Sequence, residues 1–227
     1  SQQITAQAGR QTENYSLYVL ADTELNGVWR TNLYGGVLTD LEEILKLDPA
    51  TTHPRYFGIA KVIKAFTYSV LVDFWGDIPY SEALQGVSNV VPAIDDDAAV
   101  YPQLITLLDQ AIVDLKAPSA LSAPAADDYI FGGNASRWIK TANVLKLRMY
   151  LKLANTPGFN TAAISSFITA TPANEFMESN ADDFQHPFVA SLSGRQNPIH
   201  QFILSRQDDI CTSSTMVNLM NAKADPR

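Results

Sequence analysis

From Arg55 to Tyr80 the chain reads Arg-Tyr-Phe-Gly-Ile-Ala-Lys-Val-Ile-Lys-Ala-Phe-Thr-Tyr-Ser-Val-Leu-Val-Asp-Phe-Trp-Gly-Asp-Ile-Pro-Tyr, and this stretch limits the possible folds more than any other. Ile59, Ile63, Phe66, Val70 and Phe74 recur at spacings of 4, 3, 4 and 4, which predicts a helix with those residues on one face. Phe57, Ala60 and Lys64 carry a second, weaker stripe, so more than one side of the helix should meet protein. Gly76 is predicted to end it, because glycine takes the left-handed cap at little cost. Pro79 then biases Ile78 toward an extended conformation. The expectation is a long buried helix that stops abruptly in an aromatic loop, Phe74 to Tyr80.

A helix over 136–155 has the same character. Trp138, Ala142, Leu145, Met149 and Leu153 make one apolar face, and Val144, Leu147, Leu151 and Ala154 another. A strip with Lys140, Lys146, Arg148 and Lys152 is left for water or ion pairs. Helices apolar on two sides belong in a stack of helices rather than on one face of a sheet. Around these two helices the pattern predicts more of the same kind. Tyr15, Leu17, Tyr18, Val19, Leu20 and Leu25 mark a first helix, and Trp29, Leu33, Val37, Leu41, Ile44 and Leu45 a second. Gly35-Gly36 in the second predicts a kink, or a helix that begins only at Val37. Residues 47–54 read as a linker. Asp95, Asp96 and Asp97 suit a helix start, and Leu104, Leu108, Ala111 and Leu115 give the stripe that follows. A loop from Pro118 through Pro124 ends at Gly132-Gly133-Asn134, and Asn160 caps a short helix with Ile164, Phe167 and Ile168. From Pro172 the periodicity fades into a loop-rich tract with one helix at Ser213–Ala222.

These blocks resemble a known family. Arg55, Lys64-Ala65-Phe66 and Trp75-Gly76-Asp77-Ile78-Pro79 look like the signature helix and loop of the SusD/RagB proteins, and Trp138-Ile-Lys-x-Ala-Asn-x-Leu-Lys-x-Arg148 like a helix of one SusD-like branch. Trp29 with Tyr34 and Leu41-Glu-Glu-Ile44 fits the element that precedes the signature helix there. The resemblance implies a mainly all-α fold, an irregular TPR-like scaffold of helical pairs with long loops. It divides the chain into a scaffold over 1–171 and the loop-rich start of a second subdomain over 172–227. Asp225-Pro226-Arg227 looks like a mid-chain motif of that family, so the chain reads as an N-terminal portion of a longer protein. The resemblance also implies a non-enzymatic lipoprotein on the extracellular face of the outer membrane. Such a protein captures an oligosaccharide or similar nutrient and delivers it to a SusC-like TonB-dependent transporter, held by an N-terminal lipid anchor absent from this sequence. A secreted glycoside hydrolase of helical fold and a TPR-like peptide-binding scaffold are the alternatives.

Composition narrows the partners. The 227 residues carry a formal charge of −8 and 46% hydrophobic residues. That balance describes a folded protein and offers no basic patch for nucleic acid or for an electrostatic dock on anionic lipid. The single cysteine, Cys211, cannot form an internal disulfide and reads as a buried thiol. His53, His186 and His200 lack metal-ligand spacing. No cofactor and no metal are expected, and Asp95–Asp97 are read as a helix start rather than a cation site. Glycan hydrolysis needs two carboxylates at a set separation. The acids Glu42, Glu43, Asp77, Glu82, Asp127, Asp128, Asp182 and Asp183 fall into no motif that pairs two of them. Sugar binding needs only aromatic faces with polar groups at their edges. Trp75, Asp77 and Tyr80 in the signature loop offer that chemistry and are the candidate ligand contacts; their structural reading is a Trp75 packed under the helix end and an Asp77 that ties down the turn.

Overall fold

A computed structural model describes residues 5–7, 23, 25–47, 52–119, 122–157, 159–191, 194–205, 210–212 and 214–225. Its helix starts are set by single side chains. Asp96 precedes α3 (Asp97–Lys116) and accepts from the Ala98 N–H at 2.9 Å. Asn134 does the same for Arg137 at 3.2 Å before α4 (Ala135–Lys152), and Asn160 for Ala163 at 3.1 Å before α5 (Thr161–Ala170). Each oxygen satisfies an amide that has no partner within its own helix. The signature helix, α2 (Pro54–Trp75), instead opens on a proline, whose missing N–H costs nothing there. It ends as predicted at Gly76, which sits at φ +73° and donates to the Val72 carbonyl at 2.9 Å.

The glycine pair upstream neither kinks the chain nor delays the helix. Gly27–Leu38 form a wide π-helical coil that runs into α1 (Thr39–Leu47). A β-carbon at Gly35 would lie 2.6 Å from the Arg30 carbonyl oxygen, and one at Gly36 2.9 Å from that of Thr31, so this coil requires glycine at both positions. The wider turn shifts the buried register from that of an ordinary α-helix. Leu38, not Val37, reaches the core, and Val37 and Ile44 stay exposed, whereas Leu41 is buried as the stripe predicts.

The core is built on the α2–α3 seam. The predicted stripe of α3, Leu104, Leu108, Ala111 and Leu115, is wholly buried. The predicted face of α2 is not the one that meets it. Val62, Ala65, Tyr68, Leu71 and Val72 are buried, while Ile59, Ile63 and Phe66 pack at the flank and Phe74 is 73% exposed. Close approach explains the difference. Gly58 sits so near α3 that a β-carbon there would come within 2.6 Å of Leu115 Cγ and 3.0 Å of the Ala111 carbonyl oxygen. Small residues let two backbones approach, and a search for large apolar residues overlooks that face.

On α4, Trp138, Ala142, Leu145 and Met149 are buried as expected, but Leu151 on the second face is exposed. The helix ends at Lys152, and Leu153–Asn155 add a 3-10 turn. Its cationic strip is paired with neighbouring elements. Lys140 meets Asp182 at 2.9 Å and Glu178 at 3.2 Å, and Lys146 meets Asp109 at 2.5 Å while lying over the Phe167 ring. Arg148 and Lys152 both pair with Asp73. Phe167 is buried, but Ile168 on the same short helix is exposed.

Residues 27–186 make one compact unit, and residues 1–26 with 187–227 a second. In the second, β1 (Thr5–Gln7) pairs antiparallel with β2 (Ile210–Thr212), Ala6 opposite Cys211. α7 (Ser214–Ala222) matches the predicted last helix, whereas α6 (Pro198–Ser205) falls in the tract read as loop. The apolar cluster at residues 15–20 lies outside the described residues, as do 48–51 of the linker. No described helix is long and apolar enough to cross a membrane. The fold is mainly all-α, as the helical stacking of the sequence requires.

Candidate functional site

The two ends of α2 each carry aromatic residues. At the C-terminal end, Trp75 meets Trp29 edge-on with ring centroids 5.0 Å apart, and Tyr80 meets Tyr68 at 4.7 Å. The Tyr34 hydroxyl donates to the Pro79 carbonyl at 2.6 Å, and burial pushes that hydroxyl's pKa well up. Ile78 and Asp95 exchange backbone hydrogen bonds of 3.1 and 2.9 Å, which realises the extended conformation expected before Pro79. The Asp95 carboxylate also accepts from the N–H groups of Tyr80 and Ser81 and from the Ser81 hydroxyl. Partial burial would raise its pKa, yet those three bonds outweigh it and hold the carboxyl below its ordinary value. Asp77 accepts from the Asp97 N–H at 3.0 Å and so ties the loop to the start of α3. Oxygens of Asp77, Asp96 and Asp97 lie within 4.8 Å of one another on the surface. Trp75, Asp77 and Tyr80 thus each have a packing or hydrogen-bonding partner within this loop and the elements beneath it.

At the N-terminal end the arrangement is open. An open pocket of about 280 Å³ runs between the first turns of α2 and the 124–130 loop. Ile59, Ile63, Pro124, Ile130 and Trp138 give it an apolar floor. Tyr129 stands at its side, 53% exposed, with Tyr56, Asp127 and His186 along the rim.

Two consecutive aspartates serve this loop differently. Asp128 accepts from the N–H groups of Ile130, Phe131 and Gly133 and from the Trp138 indole, the last at 2.7 Å. Those four donors occupy its four lone-pair positions, so it shapes the loop and has nothing left for a ligand. Asp127 accepts from the Ala125 N–H at 2.7 Å and the Tyr56 hydroxyl at 2.6 Å, which leaves acceptor capacity on both oxygens. The Tyr56 bond, then that from Ala125, holds its carboxyl below the ordinary range, and the same bond pushes the Tyr56 hydroxyl up. An apolar floor, an exposed ring and a charged acceptor at the edge suit the face and rim of a sugar.

Sequence reasoning singled out the other end of the helix. Asp127 and Asp128 figured only among the acids weighed for catalysis, and Tyr56 and Tyr129 carried no pattern. A tyrosine beside paired aspartates in a loop before Gly132-Gly133 was the available signal, but only the fold brings that loop against Tyr56.

The family model described as SusD-like, starch-binding and associating with the outer membrane matches residues 1–227. No protein of curated function matches the chain. Among solved structures the chain is similar to a chitin-binding protein, with 25% identity over 99% of this chain and 47% of that one, at a TM-score of 0.73. It is similar to a chitin-binding SusD homologue from Flavobacterium johnsoniae at 22% identity, 92% and 42% coverage and a TM-score of 0.73. A SusD/RagB family protein from Bacteroides thetaiotaomicron matches at 25% identity, 91% and 42% coverage and a TM-score of 0.69. The chain spans less than half the length of each of these structures.

Proposed function

The chain belongs to the SusD-like family of starch-binding proteins that associate with the outer membrane, and from that premise we propose that it captures glycan at the cell surface without chemically changing it. The observation that carries this reading is the groove at the start of α2, where an exposed tyrosine, an apolar floor and a carboxylate with spare acceptor capacity line one pocket. Tyr129 and the floor would take the apolar face of a sugar ring, and Asp127 would accept from its hydroxyls. Binding without catalysis is supported by Asp128, whose full set of hydrogen bonds leaves the groove one usable carboxylate where hydrolysis calls for two. The two chitin-binding structures make β-linked hexosamine chains, alongside starch, the first ligands to try.

In this reading the protein is held on the extracellular face by a lipid anchor and passes its ligand to a SusC-like TonB-dependent transporter. Trp75, Asp77 and Tyr80 are the second candidate contacts, through whichever edges their partners leave open. A glycan array followed by calorimetry and product analysis tests the proposal. Binding without products supports capture; released products would overturn the non-enzymatic reading, and a blank array would overturn glycan capture. Recovery of a TonB-dependent barrel with the protein from solubilised outer membranes tests delivery.

A further inference from the structure

The lining of the groove is one-sided in charge. Among the described residues that line it, Asp127 and Asp128 are the acids, His186 is the imidazole, and there is no lysine or arginine. Asp128 is buried in its own hydrogen bonds, so Asp127 is the charged group a ligand meets. It stays ionised through any neutral or mildly acidic medium, because the Tyr56 hydroxyl and the Ala125 N–H both favour the carboxylate. A fixed anion beside an apolar floor attracts hydrogen-bond donors and repels a second anion, and repulsion at one rim is an efficient way to refuse a ligand of similar shape.

Resting on the glycan-binding reading of this groove, we propose that Asp127 makes it selective for neutral and amino sugars over uronic acids. Tyr56 is a positioning residue here: its hydroxyl and the Ala125 N–H hold the carboxylate with one lone pair left on each oxygen.

Calorimetry with four tetrasaccharides tests this, one each of glucose, N-acetylglucosamine, glucosamine and galacturonic acid. The intact protein should bind at least one of the first three tenfold or more tighter than the galacturonate. Asp127→Asn should weaken the neutral or amino probe a few fold and shrink the discrimination to threefold or less. The same pair of measurements in a His186→Gln background takes the imidazole out of the lining, and the ratio should hold. Equal binding of the galacturonate by the intact protein overturns the selectivity and leaves glycan capture standing, as does discrimination that survives Asp127→Asn. Failure of all four probes overturns the glycan reading of the groove itself. Matching circular dichroism of the variants shows that a change in ratio is not a loss of fold.

Discussion

The two ends of α2 make an instructive pair. Both are rich in tyrosine and tryptophan and both face a loop held by an aspartate. At the C-terminal end Trp29, Trp75, Tyr68 and Tyr80 close on one another, Phe74 stays exposed, and Asp95 accepts from the Tyr80 and Ser81 amides and the Ser81 hydroxyl. At the N-terminal end Asp128 does the bracing, and its neighbour Asp127 keeps acceptor capacity beside an exposed Tyr129. The division of labour between two adjacent carboxylates, one for the loop and one for the solvent side, separates a braced loop from a candidate site.

The strongest way to break the contrast is to collapse the open end. Gly133 stands at φ +80°, and a β-carbon there would collide with the Pro124 carbonyl at the edge of the groove. Gly133→Ala should cost about 3 kcal/mol in urea unfolding and abolish groove binding. At the closed end, Asp95→Ala strips the Tyr80 and Ser81 amides of their acceptor. It should cost about 1–2 kcal/mol in the same assay, with groove affinity unchanged. If affinity drops there while stability holds, the signature loop is the contact surface and the contrast is reversed.

Tyr129→Ala sharpens the comparison from the other side. It should weaken glycan binding about tenfold, the worth of one exposed ring against a sugar face. The smallest effect expected is on pH. The Lys140 ammonium, then the Glu178 N–H, hold the Asp182 carboxyl below its ordinary value, and Asp182 raises Lys140 in return. A depressed carboxyl stabilises above the unfolded value of about 3.9 and loses that contribution as pH falls below it. A raised lysine stabilises below about 10.4 and loses its contribution as pH rises beyond. Urea midpoints of the intact protein and Asp182→Asn should therefore differ between about pH 5 and 10 and converge at acid pH.

Much of the scaffold could be read in advance because its signals are local. The caps Asp96 and Asn160 and the stop at Gly76 each act within one turn, and the α3 stripe is long and regular. What escaped depends on a neighbour. The inward face of α2 is marked by Gly58 and other small residues whose purpose appears only once Ala111 and Leu115 lie against them. The register of α1 turns on a coil wider than the spacing assumed for it, which moved Leu38 inward in place of Val37. The groove was the least legible. Its walls come from residues near 56–63 and 124–130, and neither stretch shows the site without the other.

The reciprocal bridge between Ile78 and Asp95 has a consequence for how relatives can diverge. It clips the base of the 79–94 segment, while Glu82 reaches across to the Asn89 side chain and the Ala93 N–H within it. Val87, Val90 and Val91 at its tip are exposed. Because closing a loop becomes only slowly more costly with length, about 0.6 kcal/mol for each doubling, insertions between Gly86 and Pro92 can accumulate there while α2 and α3 keep their places. Diversity in length among related chains should concentrate at this tip, where a new surface can be tried without disturbing the helices that carry it.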